Sequence, residues 1–250
     1  MTQKKISVIL PVRNRSGVRL ASCLASLRAQ TLPERDVEIL ISDFGSDADH
    51  AASLRALCVN YDCIYVRTDT RTLWNRSRAI NLAVQRASGA YVLATDVDML
   101  FAPNFLETVM MELVRGDTFV VCRCLDLPKH TADAAWRPVD YEMLRAESIY
   151  RKLPGTGACQ AARREWLRSV RGYDEKYVYW GYEDRDMFRR AGCAGLRIVW
   201  IHEKTSMLHQ WHPKMDNDRM WLRQKNRLRY FLTGFIVKKN PRGWGIEASV

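Results

Sequence analysis

The sequence predicts one α/β protein built on a mostly parallel, helix-covered sheet. Short apolar runs at 5–12, 37–42, 63–67 and 91–95 alternate with segments whose apolar residues recur at helical spacing. The 250 residues suit one compact domain, or two lobes sharing a core, and 47% of them are hydrophobic, too many for a disordered chain. No internal repeat or low-complexity linker divides the chain.

"KISVILPV" reads as a first strand, closed by Pro11, and "GVRLASCLASLRAQ" as the helix after it, broken by "TLPERD". "VEILIS" is a second buried strand, and "FGSDAD" a turn with helix-capping residues before the helix "AASLRALCV". "CIYVR" is a short strand, "NRSRAINLAVQRA" a helix ended by Gly89, and "YVLAT" the strand that delivers Asp96. The second half is less regular. A strand near "TFVVCRC" precedes a polar stretch to about residue 150, then "GTGACQAARREWL", a helix starting near Glu183, the strand "LRIVWI" and a basic helix after Pro213. The chain divides near 101 and 212 into a first half (1–101), a second half (102–212) and a basic helical extension (213–250).

The net charge of +11 favours an anionic partner: a sugar nucleotide, a phospholipid surface or nucleic acid. From Lys214 to Arg242 there are nine Lys and Arg against two acids, Asp216 and Asp218. A solvated helix face is the plain reading of that stretch, adhesion to an anionic membrane surface the next, and nucleic acid the last, since no nucleic-acid motif occurs. "MTQKKISVIL" is too short an apolar run for a signal peptide, and no run approaches the ~20 residues of a membrane span. Seven cysteines without a C-x-x-C pair read as reduced thiols of a cytoplasmic protein.

Ligands bind such sheets at the carboxyl ends of strands, where Asn14, Asp43 and Asp96 fall. In an extended segment Asp96 and Asp98 would aim two carboxylates at one point, repelling each other unless a cation or donors lie between. One reading is a turn whose acids cap the next helix; the other is a Mg²⁺ or Mn²⁺ site bridging to diphosphate oxygens. Likewise "NRSR" is either a capped helix start or a pair of guanidiniums for phosphate oxygens, Arg76 and Arg78. Asp43 is either an Asx-turn or a ligand contact. In "YVYWGYEDRDMFRR", Glu183, Asp184 and Asp186 suit the positive end of a helix. His209 and His212 of "SMLHQWHP" lack the H-E-x-x-H pattern of zinc proteases.

The ordered series is more specific than any one motif. "PVRN", Asp43-Phe44-Gly45-Ser46, Trp74-Asn75-Arg76, Asp96-Val97-Asp98 and Trp180-Gly181-Tyr182-Glu183-Asp184 together resemble GT-A-fold, nucleotide-sugar-dependent glycosyltransferases, over most of residues 5–212. The nearest likeness is to the β-1,4-galactosyltransferase group and related bacterial polysaccharide enzymes. The resemblance implies a Rossmann-like sheet with helices on both faces and a smaller acceptor-binding lobe, with the nucleotide-sugar-binding half at about 1–101 and the acceptor and catalytic half at about 102–212. It implies donor contacts from Pro11, Arg13, Asn14, Asp43, Arg76, Arg78, Asp96 and Val97. It implies a Mn²⁺ or Mg²⁺ ion on Asp98, on Asp96 and on His209, with His212 as the alternative. Asp184 becomes the general base of an inverting transfer, and Trp180, Gly181, Tyr182 and Glu183 the acceptor site. Tyr182 departs from the glycine of the galactosyltransferases and narrows that site. The expected partners are a UDP-linked donor and a saccharide or lipid-linked saccharide acceptor, at the inner face of a bacterial membrane. The rival readings are a nucleotidyltransferase, which would need a Gly-rich, Lys-bearing loop, and a non-catalytic sugar- or nucleic-acid-binding module, which would need no metal triad.

Overall fold

In β1 (Ile6–Val12) and β2 (Val37–Phe44) every residue is buried. Ile6, Val8, Leu10 and Val12 pack on one face of the sheet with Val37, Ile39 and Ile41, while Ile9 and Leu40 join the cluster on the other. A strand apolar on both faces needs a helix layer on each side. α1 (Val18–Arg28) brings Leu20, Cys23, Leu24 and Leu27 to the first face, beside Leu54 and Cys58 of α2 (Ala48–Asn60). α3 (Arg76–Arg86) covers the second with Ile80, Ala83 and Val84. The structure, a computed structural model, describes residues 5–152, 155–213 and 219–246. Most of the N-terminal decapeptide's two-lysine start, and Asp216 and Asp218 of the basic stretch, lie outside the described residues.

The main sheet runs β10 (Arg197–Trp200), β6 (Thr118–Val121), β9 (Gln160–Arg163), β4 (Tyr91–Ala94), β1, β2, β3 (Ile64–Thr68). Every pairing is parallel except those of β9, which is antiparallel to both β4 and β6. Pro11 is tolerated in β1 because the β4 pairing ends at Ile9, so beyond that point β1 has a neighbour on one side only. Gly89 does not serve as the end of α3, which stops at Arg86. It lies where a Cβ would sit 2.7 Å from the Ser7 backbone nitrogen, so it permits close approach to β1.

Two sequence expectations are corrected here. The segment 155–167, to which the sequence assigns no strand, holds one: Gln160–Arg163 form β9 in the middle of the sheet before α6 (Arg164–Ser169). "TFVVCRC" is two strands, not one: β6 stays in the main sheet, and after Cys122 and Arg123 the chain enters β7 (Cys124–Asp126) of a second sheet.

That second sheet runs β5 (Met99–Phe101), β11 (Met207–His209), β7, β8 (Ile149–Tyr150). It is joined to the first by shared packing, since Met99, Phe101, Cys124 and Met207 belong to the same cluster as Ile6 and Val8. α4 (Phe105–Leu113) adds Phe105, Leu106 and Val109 to that cluster, and α5 (Tyr141–Glu147) packs Tyr141 and Leu144 against Leu208. α7 (Glu183–Cys193) carries the fully buried Arg190, whose guanidinium donates to the carbonyls of Val170, Gly172 and Val237. α8 (Met220–Thr233) closes the described chain against α7: Arg229 pairs with Asp174 at 2.7 Å, and the buried Lys239 beyond the helix pairs with Asp174 and Asp186. Among the described residues no helix is long and apolar enough to cross a membrane.

Candidate active site

The chain leaves β4 at Ala94 and turns at Val97 and Asp98 before β5. Asp96 and Asp98 are therefore not on one extended segment, and they part. Asp96 is half exposed and accepts at Oδ1 from Arg76 Nη2 at 2.9 Å. Asp98 is nearly buried and faces Arg15 at 3.3 Å, His212 Nε2 at 3.3 Å and His209 Nε2 at 3.9 Å. The shared focus expected of the two carboxylates is corrected to two neighbouring sites.

Strand register explains why two histidines converge on Asp98. β11 pairs antiparallel with β5, setting His209 opposite Met99, and the Gln210 amide donates to the Asp98 carbonyl at 2.9 Å. On its other side β11 runs parallel to β7, setting His209 beside Asp126. His209 Nδ1 lies 3.2 Å from Asp126 Oδ1, and His212 Nδ1 lies 2.8 Å from the Pro213 carbonyl. With each Nδ1 turned to an acceptor, each Nε2 is left facing Asp98: it donates to the carboxylate when the ring is protonated and offers a lone pair when the ring is neutral. Asp98, His209 and His212 offer ligand atoms all within 4.8 Å of one another. His209 and His212 are thus partners in one cluster rather than alternatives, and Asp96 is outside it. Burial alone would raise the Asp98 carboxyl, but the His212 bond and the charges of His209 and Arg15 outweigh it and hold it below its ordinary value. The same bond raises the proton affinity of His212.

Arg76 links this turn to the acidic one. Asn75 caps α3 by accepting from the Arg78 amide at 2.9 Å, which places Arg76 in the first turn of the helix. From there Nη2 reaches both Asp96 and the Gly157 carbonyl, at 2.7 Å, while Nη1 is buried without a partner. Gly157 is packed against Asp184, whose Oδ2 a Cβ there would meet at 3.3 Å, and Thr156 donates to that oxygen at 3.1 Å. Glu183 is buried beside Asp184. Burial and the Asp184 charge, partly offset by Arg76, push its carboxyl up to about 7.

The turn before α7 is crimped: Tyr179, Gly181 and Tyr182 all have positive φ, of 73°, 95° and 76°. For tyrosine this backbone is uncommon and costs about 1 kcal/mol or more, so other contacts must hold it. Tyr179 N donates to the Trp74 carbonyl, and Asn226 of α8 donates to the carbonyls of Val178 and Trp180. Trp180 remains 52% exposed beneath the Arg223 guanidinium, and the Tyr182 ring packs on Tyr230.

The other sequence-selected residues each have partners within the protein. Asp43 is fully buried, its Oδ1 accepting from the Ser46 amide and its Oδ2 from Tyr65 and Arg67, so the carboxylate is enclosed by partners from the protein itself. The Val97 side chain belongs to the core, and Pro11 is a buried strand residue, leaving each only backbone atoms to offer. Asn14 ties the loop after β1 to Asp47 and Ser46, and Arg13 donates to the Thr72 carbonyl. Arg78 lies over the Phe44 ring and lines a small cleft with Thr68 and Leu82. Arg15, Asp126, Arg151 and Thr156 were not singled out by sequence. Their roles depend on pairing across strands and loops, and no local motif marks them.

An open sheet of this order, with its acidic turn and histidines at one end, is the GT-A fold of glycosyltransferases. Solved chains of that fold superpose over most of the molecule. S. aureus TarS matches with a TM-score of 0.64 and 16% identity, over 91% of this chain and 40% of its own. GalNAc-T7, solved with UDP, GalNAc and Mn²⁺, matches at 0.65 and 16%, over 85% and 45%. The mannosyltransferase PcManGT of Pyrobaculum calidifontis, solved with GDP-Man and Mn²⁺, matches at 0.64 and 18%, over 96% and 67%. The chain belongs to glycosyl transferase family 2, whose model matches residues 7–171, and a model described as the N-terminal domain of galactosyltransferase matches residues 142–213. Among curated relatives, the O-antigen biosynthesis protein RfbC of Myxococcus xanthus is 26% identical over 82% of this chain and 17% of its own length. The uncharacterized glycosyltransferase YibD of Escherichia coli K12 is 28% identical over 80% and 56%. Human polypeptide N-acetylgalactosaminyltransferase 10 is 24% identical over 79% and 36%. The matched region is thus less than two thirds of each of these relatives.

Proposed function

We propose that the chain is an inverting, metal-dependent glycosyltransferase, moving a hexose or N-acetylhexosamine (Gal, GalNAc, Glc or GlcNAc type) from a UDP-linked donor to a hydroxyl of a saccharide acceptor in bacterial surface polysaccharide assembly. The observation that carries this is the convergence of both His Nε2 atoms on Asp98, one loop away from the Arg76–Asp96 pair. The family membership, a relative named for O-antigen biosynthesis and a fold neighbour solved with UDP and Mn²⁺ support the chemistry and its setting.

Asp98, His209 and His212 would hold the metal, and the donor set fits: one carboxylate, two imidazoles with their Nε2 atoms inward, each a ligand once deprotonated, and Asp126 behind His209 as an outer partner. Two nitrogens favour Mn²⁺ over Mg²⁺, which prefers an all-oxygen shell. When bound, the ion supplies Lewis-acid neutralisation of the departing diphosphate. Arg76 adds a fixed positive charge there, and its unpartnered Nη1 is a donor that a ligand oxygen would satisfy. Asp184, oriented by Thr156, takes the proton of the acceptor hydroxyl as the hydroxyl attacks the anomeric carbon opposite the leaving group. The bond to the acceptor oxygen forms as the bond to the diphosphate breaks, so an α-linked donor gives a β-linked product. Glu183, raised toward neutrality, can donate to or accept from an acceptor hydroxyl, and Trp180 offers a sugar-facing ring.

Incubation with UDP- and GDP-sugars, Mn²⁺ and candidate saccharides is expected to release nucleoside diphosphate only with a matching pair, and not in EDTA. Release of pyrophosphate, or full activity in EDTA, would overturn this reading.

A further inference from the structure

We infer that α8 docks the protein on an anionic membrane surface through its outward face. The helix has two opposed sides. Leu222 and Asn226 are buried against the body of the protein, and Arg229 is bonded to Asp174, so the helix is anchored along its inner side. On the opposite side Trp221, Leu228, Phe231 and Leu232, with Phe235 just past the end, are all exposed, Leu228 by 60% and Leu232 by 62%. Their spacing of 7, 3, 1 and 3 residues lines them along one face of a helix. Solvent gains nothing from such a stripe, and single exposed apolar residues would not line up this way.

Charge decides what covers it. The exposed Lys225 and Arg227 flank the stripe, and no Asp or Glu occurs from Arg219 to Ile246. A second copy meeting this face by two-fold symmetry would set these cations against each other with no acid on the helix to answer them. Nucleic acid would answer the cations but offers nothing aliphatic to Leu228 and Leu232. An anionic bilayer supplies both hydrocarbon for the stripe and headgroup charge for its flanks. Through Asn226 and Arg223 the same helix holds the turn bearing Trp180, so docking would set that turn beside the lipid surface. This consequence for a lipid-linked acceptor rests on the acceptor reading of the turn; the docking does not.

The test is vesicle flotation of the full chain without sugar nucleotide, which decides docking apart from catalysis. Binding is expected to phosphatidylcholine vesicles containing phosphatidylglycerol, to be weak on phosphatidylcholine alone, and to fall as salt shortens the reach of the charges. Leu228→Asp with Phe231→Asp should reduce the bound fraction at least about tenfold while leaving sugar-nucleotide turnover on a soluble acceptor unchanged. Lys225→Glu with Arg227→Glu, at exposed positions away from the buried inner side of the helix, should also release the protein and keeps the test open if the first pair fails to fold. Equal binding to both vesicle types, binding to neither, or retention by both double variants would overturn the inference. So would light scattering that shows a dimer dissolved by Leu228→Asp with Phe231→Asp, which would assign the stripe to a second copy.

Discussion

His209 Nδ1 lies 3.2 Å from Asp126 Oδ1, on the ring edge turned away from Asp98. Arg151 holds Asp126 in turn, with Nη2 to Oδ1 at 2.6 Å and Nε to Oδ2 at 3.1 Å. Burial would raise the Asp126 carboxyl, yet the His209 and Arg151 bonds outweigh it and hold it well below the usual carboxylate range. The result is an outer carboxylate that fixes the ring and its tautomer before any ligand arrives.

Asp126→Asn keeps the shape and weakens that grip. The Mn²⁺ concentration giving half-maximal nucleoside diphosphate release should rise by about 10–100-fold, with an unchanged circular dichroism spectrum. An unchanged half-saturation point would show that Asp126 serves only its ion pair with Arg151.

The separation of Asp96 from Asp98 gives a second expectation. Asp98→Ala, His209→Ala and His212→Ala should each remove tight Mn²⁺ binding, read directly by loss of the free-ion signal suppression in electron paramagnetic resonance. Asp96→Ala should keep the ion in the free enzyme and instead loosen Arg76, weakening donor binding. If Asp96→Ala abolished Mn²⁺ binding while His212→Ala kept it, the cluster described above would be the wrong one.

Much of the fold was legible because β1, β2 and β4 are continuous apolar runs separated by amphipathic helices, a pattern that survives in one dimension. β9 was not, because Gln160–Arg163 hold two alanines in place of β-branched residues and gain their strand from neighbours on both sides. Within the candidate site, residues in short motifs stood out: Asp98, His209 and His212, and the Glu183–Asp184 pair. Arg15 and Asp126 did not, since each meets its partner across 83 residues of chain, the first through a loop and the second through strand register. The partners of Asp43 were hidden for a related reason: its turn is as the pattern predicts, but Arg67 and Tyr65, which enclose its carboxylate, come from the next strand.

Glu183 carries a pH signature. Its carboxyl sits at about 7 in the folded protein against an ordinary value of 4.5. The folded state therefore binds this proton more tightly than the unfolded chain does. The stabilisation is fully present below about 4.5 and is lost as pH rises through about 7. Glu183→Gln removes the charge that costs stability at high pH, so its melting temperature should gain on the parent protein between pH 5 and pH 8. A difference that stays flat across that range would mean that Glu183 ionises normally.

Asp184 allows base and binding roles to be separated. Its Oδ2 receives a bond from Thr156 at 3.1 Å and lies against Gly157, whose carbonyl is held by Arg76, so the carboxylate is fixed without touching the Asp98 cluster. Asp184→Asn keeps the volume and can keep a bond with Thr156, but it removes the basic lone pair. Donor affinity, measured by calorimetry with a UDP-sugar and Mn²⁺, should survive, because Asp98, both histidines and Arg76 are untouched. Turnover should fall by roughly 10²–10⁴, the usual worth of a positioned general base. Trp180→Ala should differ, raising the acceptor KM more than it lowers kcat, since it removes a surface and not a proton acceptor. Thr156→Val tests the positioning: it should lower kcat by less than Asp184→Asn and leave donor affinity intact. If Asp184→Asn lost donor binding yet turned over normally at saturating donor, the acid would belong to the donor side, and Glu183 would be the remaining base.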